Sequence, residues 1–151
     1  MQKLSTSFVR SIFFVAVSLF LSSCSLWNII VPSAGGGAFS GNFSAQVIEC
    51  FGNAGNQEIT VVLMMTNVGF NEKFYVGGSL NGTMAVDVGG NTLKPHSSTG
   101  NLYEFPTGVP VRVTIERISP IMAGTPMLRT LRVNIGTSKN IVEFRNVPIA
   151  W

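Results

Sequence analysis

Short runs of alternating apolar and polar residues recur along most of the chain, and Gly, Asn and Pro clusters separate them. The first predicted strand is Phe43 to Phe51, closed by the turn-forming stretch from Gly52 to Gln57. The second, Glu58 to Val68, sets Ile59, Val61, Leu63 and Met65 on one face against Thr60, Val62, Met64 and Thr66 on the other. Its second face is only partly polar, which suits a central strand covered on both sides. Lys73 to Val76, Thr83 to Val88, Leu128 to Ile135 and Ile141 to Ile149 repeat the pattern, and Pro148 marks an edge or a strand end. Val109 to Ile118 is expected to turn Val109, Val111, Val113 and Ile115 inward.

Gly89-Gly90 reads as a two-residue hairpin turn, because both positions tolerate positive φ. That register pairs Val88 with Asn91 and Asp87 with Thr92. Beyond the N-terminal stretch, no segment keeps an apolar period of 3.6 over ten or more residues, and there is no fixed-period internal repeat. About seven short strands without helices predict an all-β domain of two antiparallel sheets packed face to face, with a partly open β-barrel as the alternative.

The N-terminus carries different information. Lys3 and Arg10 precede the apolar run Ile12 to Leu21, and small residues follow it. Ten helical residues rise about 15 Å, half of a bilayer's hydrocarbon core of about 30 Å, so the run is expected to be a cleaved export signal and not a span. Leu21-Ser22-Ser23-Cys24 resembles the lipobox of bacterial lipoproteins, in which the cysteine thiol receives a diacylglycerol. The resemblance implies removal of residues 1–23, acylation of Cys24, and attachment to the membrane through acyl chains. Ser25, where those lipoproteins that stay in the inner membrane carry Asp, implies the outer membrane of the bacterial envelope.

Residues 24–41 are expected to form a lipidated tether whose Gly-rich part is flexible, and residues 42–151 the folded domain. Trp27 has two readings: it rests among lipid headgroups, or it docks on the domain with Ile29 and Val31. Once Cys24 is acylated, Cys50 is left without a partner, and its apolar setting marks a buried thiol and not a reactive one.

Charge narrows the functional classes. Without residues 1–23 the chain has eight basic and seven acidic residues, so the concentrated basic face of a nucleic-acid binder is not expected. One histidine, His96, and one non-lipidated cysteine cannot build a zinc shell, so no metal or other cofactor is expected. Asp87 and Asn91 could at most hold a cation weakly; helping the turn is the plainer role for Asn91. A hydrolase triad would need His96 beside Asp87, yet the hairpin register puts His96 opposite Thr83, roughly 13 Å away. No catalytic residue is assigned.

The successive pieces Glu58–Leu63, Asp87–Thr92, Pro106–Val111 and Val142–Ile149 resemble the immunoglobulin-like domain of small secreted bacterial lipoproteins of unknown function. The resemblance implies a β-sandwich over 42–151, with the Phe144-Arg145-Asn146 run as a packing feature. The expected role is a non-enzymatic, lipid-anchored accessory or binding subunit of an envelope assembly. Its partner would be an envelope protein or, alternatively, a carbohydrate, and a hydrolase is the remote alternative. Tyr75, Tyr103 and Trp151 are the candidate contact residues, because aromatic faces near loops stack on sugars or anchor protein partners.

Overall fold

The computed structural model describes residues 38–151, so Cys24, Trp27 and the signal and tether expected before Ala38 lie outside the described residues. The chain forms β1 (Ala38–Ser40), β2 (Phe43–Asn53), β3 (Glu58–Asn67), β4 (Glu72–Gly77) and β5 (Met84–Asp87). It continues through β6 (Thr92–Pro95), β7 (Gly100–Phe105), β8 (Pro110–Ser119), β9 (Met127–Ile135) and β10 (Thr137–Pro148). No helix occurs among the described residues, and every pairing between strands is antiparallel. The fold is all-β, as the alternation predicts.

One sheet runs β1-β2-β3-β8-β6 and the other groups β5, β9, β10, β4 and β7. β6 belongs to both, since it pairs with β8 on one side and with β5 on the other. The far edges also meet. Beyond β10, Ala150 bridges Phe51 of β2, with Ala150 N–H donating to Cys50 O at 2.9 Å and Gly52 N–H donating to Ala150 O at 2.7 Å. Two facing sheets therefore curl toward the partly open barrel that the sequence allows as its alternative.

β3 is the central strand of its sheet. Ile59, Val61, Leu63 and Met65 are all buried, and Val62 on the opposite face is buried as well. Phe43 meets Phe74 and Phe105 edge-on, at centroid distances of 5.3 and 5.4 Å, capping this core at one end.

Two strands break strict alternation. In β2 the register shifts between Val47 and Glu49, so Ile48 is a bulged residue and both Val47 and Cys50 face the core. In β8 the shift lies between Ile115 and Ile118, both buried, and Arg117 takes the left-handed backbone at φ 56°.

Four local expectations need correction. The Gly89-Gly90 hairpin pairs Val86 with Thr92 and Ala85 with Leu93, one residue away from the two-residue register. The reason is a three-residue loop: Asp87 and Asn91 close it through Asp87 N–H to Asn91 O at 3.1 Å, and only Gly90 has positive φ, at 85°. Val109 does not turn inward, because β8 begins at Pro110 and Val109 is exposed in the preceding loop. Gly100–Phe105 is a strand, β7, in a stretch where the alternation predicts none. Finally, β1 lies inside the stretch expected to be tether.

Candidate functional site

The three predicted contact residues do not converge. Phe74 pairs with Tyr103 and Tyr75 with Leu102, so the two tyrosines point to opposite faces of the β4–β7 hairpin. Tyr103 turns toward the core and its hydroxyl is tied to Thr114, whereas Tyr75 is exposed beside Leu102. Trp151 lies over Gly52, and its indole N–H donates to Thr125 O at 2.6 Å. Tyr103 and Trp151 thus close gaps in the fold.

Asp87 is also occupied. Its Oδ1 accepts Asn91 N–H and its Oδ2 accepts the Asn91 amide, both at 2.8 Å. Those bonds, with further N–H groups from Gly89 and Gly90, hold its carboxyl below the usual range despite burial. The turn donors take the lone pairs a cation would need. Among the described residues no three His, Cys, Asp or Glu side chains gather as a metal site.

His96 falls elsewhere than expected. It follows β6 at the β8 bulge, where its N–H donates to Arg117 O at 3.2 Å. Its Nε2 sits 2.8 Å from Ser119 Oγ and 3.9 Å from Glu58 Oε1, and Arg117 Nε lies 3.4 Å from the same Glu58 oxygen. A triad needs the carboxylate on the ring nitrogen opposite the serine, where it orients the imidazole. Here both groups approach Nε2. The group borders a half-open cleft of about 300 Å³ lined by Pro95, His96, Gly100, Thr114, Glu116 and Arg117. It is an ion-paired network at a bulge.

A second cleft, about 240 Å³, lies among loops that the sequence did not single out. The β1–β2 turn at Gly41-Asn42 and Phe70 of the β3–β4 loop line it with Glu72, Phe74 and Asn140, and the β7–β8 loop from Pro106 to Val109 braces the β3–β4 loop from beside it. Hydrogen bonds lace them together. Val68 N–H donates to Asn42 O at 2.8 Å, and Gly108 N–H donates to Asn67 O at 2.7 Å. Thr107 donates its N–H to Asn71 Oδ1 and its hydroxyl to Gly69 O, each at 2.6 Å. Buried Asn67 completes the frame, giving its amide to Phe70 O at 2.7 Å and accepting Gly69 N–H at 2.9 Å.

This laced apex presents apolar side chains to water: Phe70 is 86% exposed, Val68 68% and Val109 49%. Slack loops would let such groups fold back, but here the backbone is pinned on both sides. No local pattern in the sequence joins Asn67, Asn71 and Thr107, which only tertiary contact brings together. Comparison with known proteins finds no matching family model, no matching curated protein and no matching solved structure.

Proposed function

We propose that the protein is a non-enzymatic, lipid-anchored component of the bacterial envelope, of the small-lipoprotein kind its lipobox and strand pattern resemble, and that the laced apex is its contact surface. The observation that carries this reading is the exposure of Phe70, Val68 and Val109 on loops that hydrogen bonds tie to one another. Large exposed apolar patches rimmed by polar residues mark interaction sites, and these side chains stand on loops that are tied to one another. Acylated Cys24 supplies the anchor in this reading, and the outer membrane is its location.

Two measurements test it. A photo-crosslinking residue at Phe70, in the full chain in native membranes, is expected to trap one dominant envelope partner, while the same residue at Met122 in the β8–β9 loop is not. Equal capture at both positions, or none at Phe70, removes the apex from the proposal. Separately, Cys24→Ala is expected to abolish labelling by radioactive palmitate and normal processing; persistence of both removes the anchor.

A further inference from the structure

The cleft at the apex is better furnished for a small polar ligand than for a featureless apolar contact. Its lining includes Asn42, Asn67, Glu72 and Asn140, with Phe43 and Phe74 behind them and Phe70 at the rim. Asn67 is spent on holding the loop, because both ends of its amide are bonded to backbone. The Asn42 and Asn140 amides and the Glu72 carboxylate make no such bonds among the described residues. Each free amide offers donors and an acceptor side by side, and the carboxylate adds two more acceptors.

We infer that this cleft binds a neutral pyranose sugar. Adjacent ring hydroxyls present donor and acceptor together, which a primary amide matches bidentately and a carboxylate accepts. The aliphatic C–H face of a pyranose needs a flat apolar partner, and Phe70 offers nearly its whole ring. At about 240 Å³ the cleft falls below the roughly 300–1,000 Å³ of pockets for drug-sized ligands, so it admits one ring, with a longer glycan leaving past Phe70. Charge sets the subclass. The described lining holds Glu72 and no Lys, Arg or His, so uronic, sialic and phosphorylated sugars are repelled.

Gly69 fits the same picture. A Cβ at this position would lie 2.6 Å from Asn42 Nδ2, so the absence of a side chain here keeps the Asn42 amide beside the loop. The inference rests on the proposed function only in taking the apex as the contact surface.

The test uses the full chain as purified, free of glycolipid, with saturation-transfer NMR against glucose, galactose, mannose, N-acetylglucosamine and glucuronic acid. At least one neutral sugar is expected to receive saturation, and glucuronic acid none. Phe70→Ala should weaken the bound sugar about tenfold or more, the scale of a lost aromatic stack. Gly69→Ala should weaken it by displacing Asn42, and Tyr75→Ala should leave it unchanged. Phe70 is almost fully exposed, so an unchanged unfolding curve for Phe70→Ala separates ligand loss from misfolding. Transfer to none of the sugars, equal transfer to glucuronic acid, or binding indifferent to Phe70→Ala overturns the inference. If crosslinking at Phe70 still traps a protein while every sugar fails, the contact reading stands and the sugar falls.

Discussion

The Tyr103 hydroxyl satisfies both backbone groups of Thr114, accepting its N–H at 3.0 Å and donating to its carbonyl at 3.1 Å. β7 and β8 share no ladder, so this one side chain does at the seam what a neighbouring strand does elsewhere. Tyr103→Phe keeps the ring and removes both bonds, leaving a part-buried N–H and C=O without partners. The expected loss is about 1 to 3 kcal/mol in urea unfolding. Tyr75→Phe, on the solvent face, is expected to stay within about half a kcal/mol. Equal effects at the two positions would show that the seam does not depend on the hydroxyl.

Stability should fall in acid partly through Asp87. The N–H groups of Asn91, Gly89 and Gly90 favour its charged form in the folded state, so its folded pKa lies below the unfolded value of about 3.9. Its stabilising contribution is therefore complete above the unfolded value and disappears as pH falls through the folded one. Urea midpoints measured from pH 6 to pH 2 should drop less steeply below pH 4 in Asp87→Asn than in the parent chain. An identical slope would mean that the turn gains nothing from the charge.

Burial pushes the Cys50 thiol up to about 12, from an ordinary value of 9.0. Because folding favours the neutral thiol, the contribution of this group is intact below the unfolded value and declines as pH rises above about 9. The thiol should resist dithionitrobenzoate at neutral pH and react only at the rate of unfolding. Rapid reaction of the native chain would place Cys50 at the surface.

The strand pattern was legible wherever alternation was strict. Ile59, Val61, Leu63 and Met65 lie inside as their spacing requires, and Leu131, Val133 and Ile135 do the same in β9. The bulges left a trace that alternation alone hides: Val47 and Cys50, like Ile115 and Ile118, are buried residues three apart, which a regular strand cannot turn to one face. β7 was hidden because its composition is mixed and only the cross-strand pair Phe74–Tyr103 gives it a direction. The candidate aromatics were misplaced for a related reason. Sequence places Tyr103 and Trp151 near loops, but whether a ring seals a seam or meets solvent depends on the opposing strand. The apex depends on Asn71 reaching Thr107 across 36 positions, a contact that no local pattern encodes.

Core truncation checks the inward face directly. Leu63 and Val113 are adjacent in the β3–β8 ladder and wholly buried. Leu63→Ala and Val113→Ala should each cost about 2 to 4 kcal/mol, since the lost transfer energy is joined by a cavity that neighbouring strands fill only partly. Changes below about half a kcal/mol at both would mean that the packed face is the other one.

The junction of the two sheets at the C-terminal end offers a coupled test. The Trp151 ring covers the backbone of Gly52 so closely that a Cβ there would collide with it, while Gly52 itself has no positive φ. Any cost of Gly52→Ala should therefore come from the indole and not from the backbone. Trp151→Ala alone should lose about 1 to 3 kcal/mol, through uncovered apolar area and the bond to Thr125 O. In that background the collision is gone, so Gly52→Ala should be nearly neutral. The expected double-mutant coupling exceeds about half a kcal/mol, the scale for residues in contact. Additive effects would mean that Trp151 does not rest on Gly52 in solution, and that the closure between β2 and the C-terminal residues is held by its backbone bonds alone.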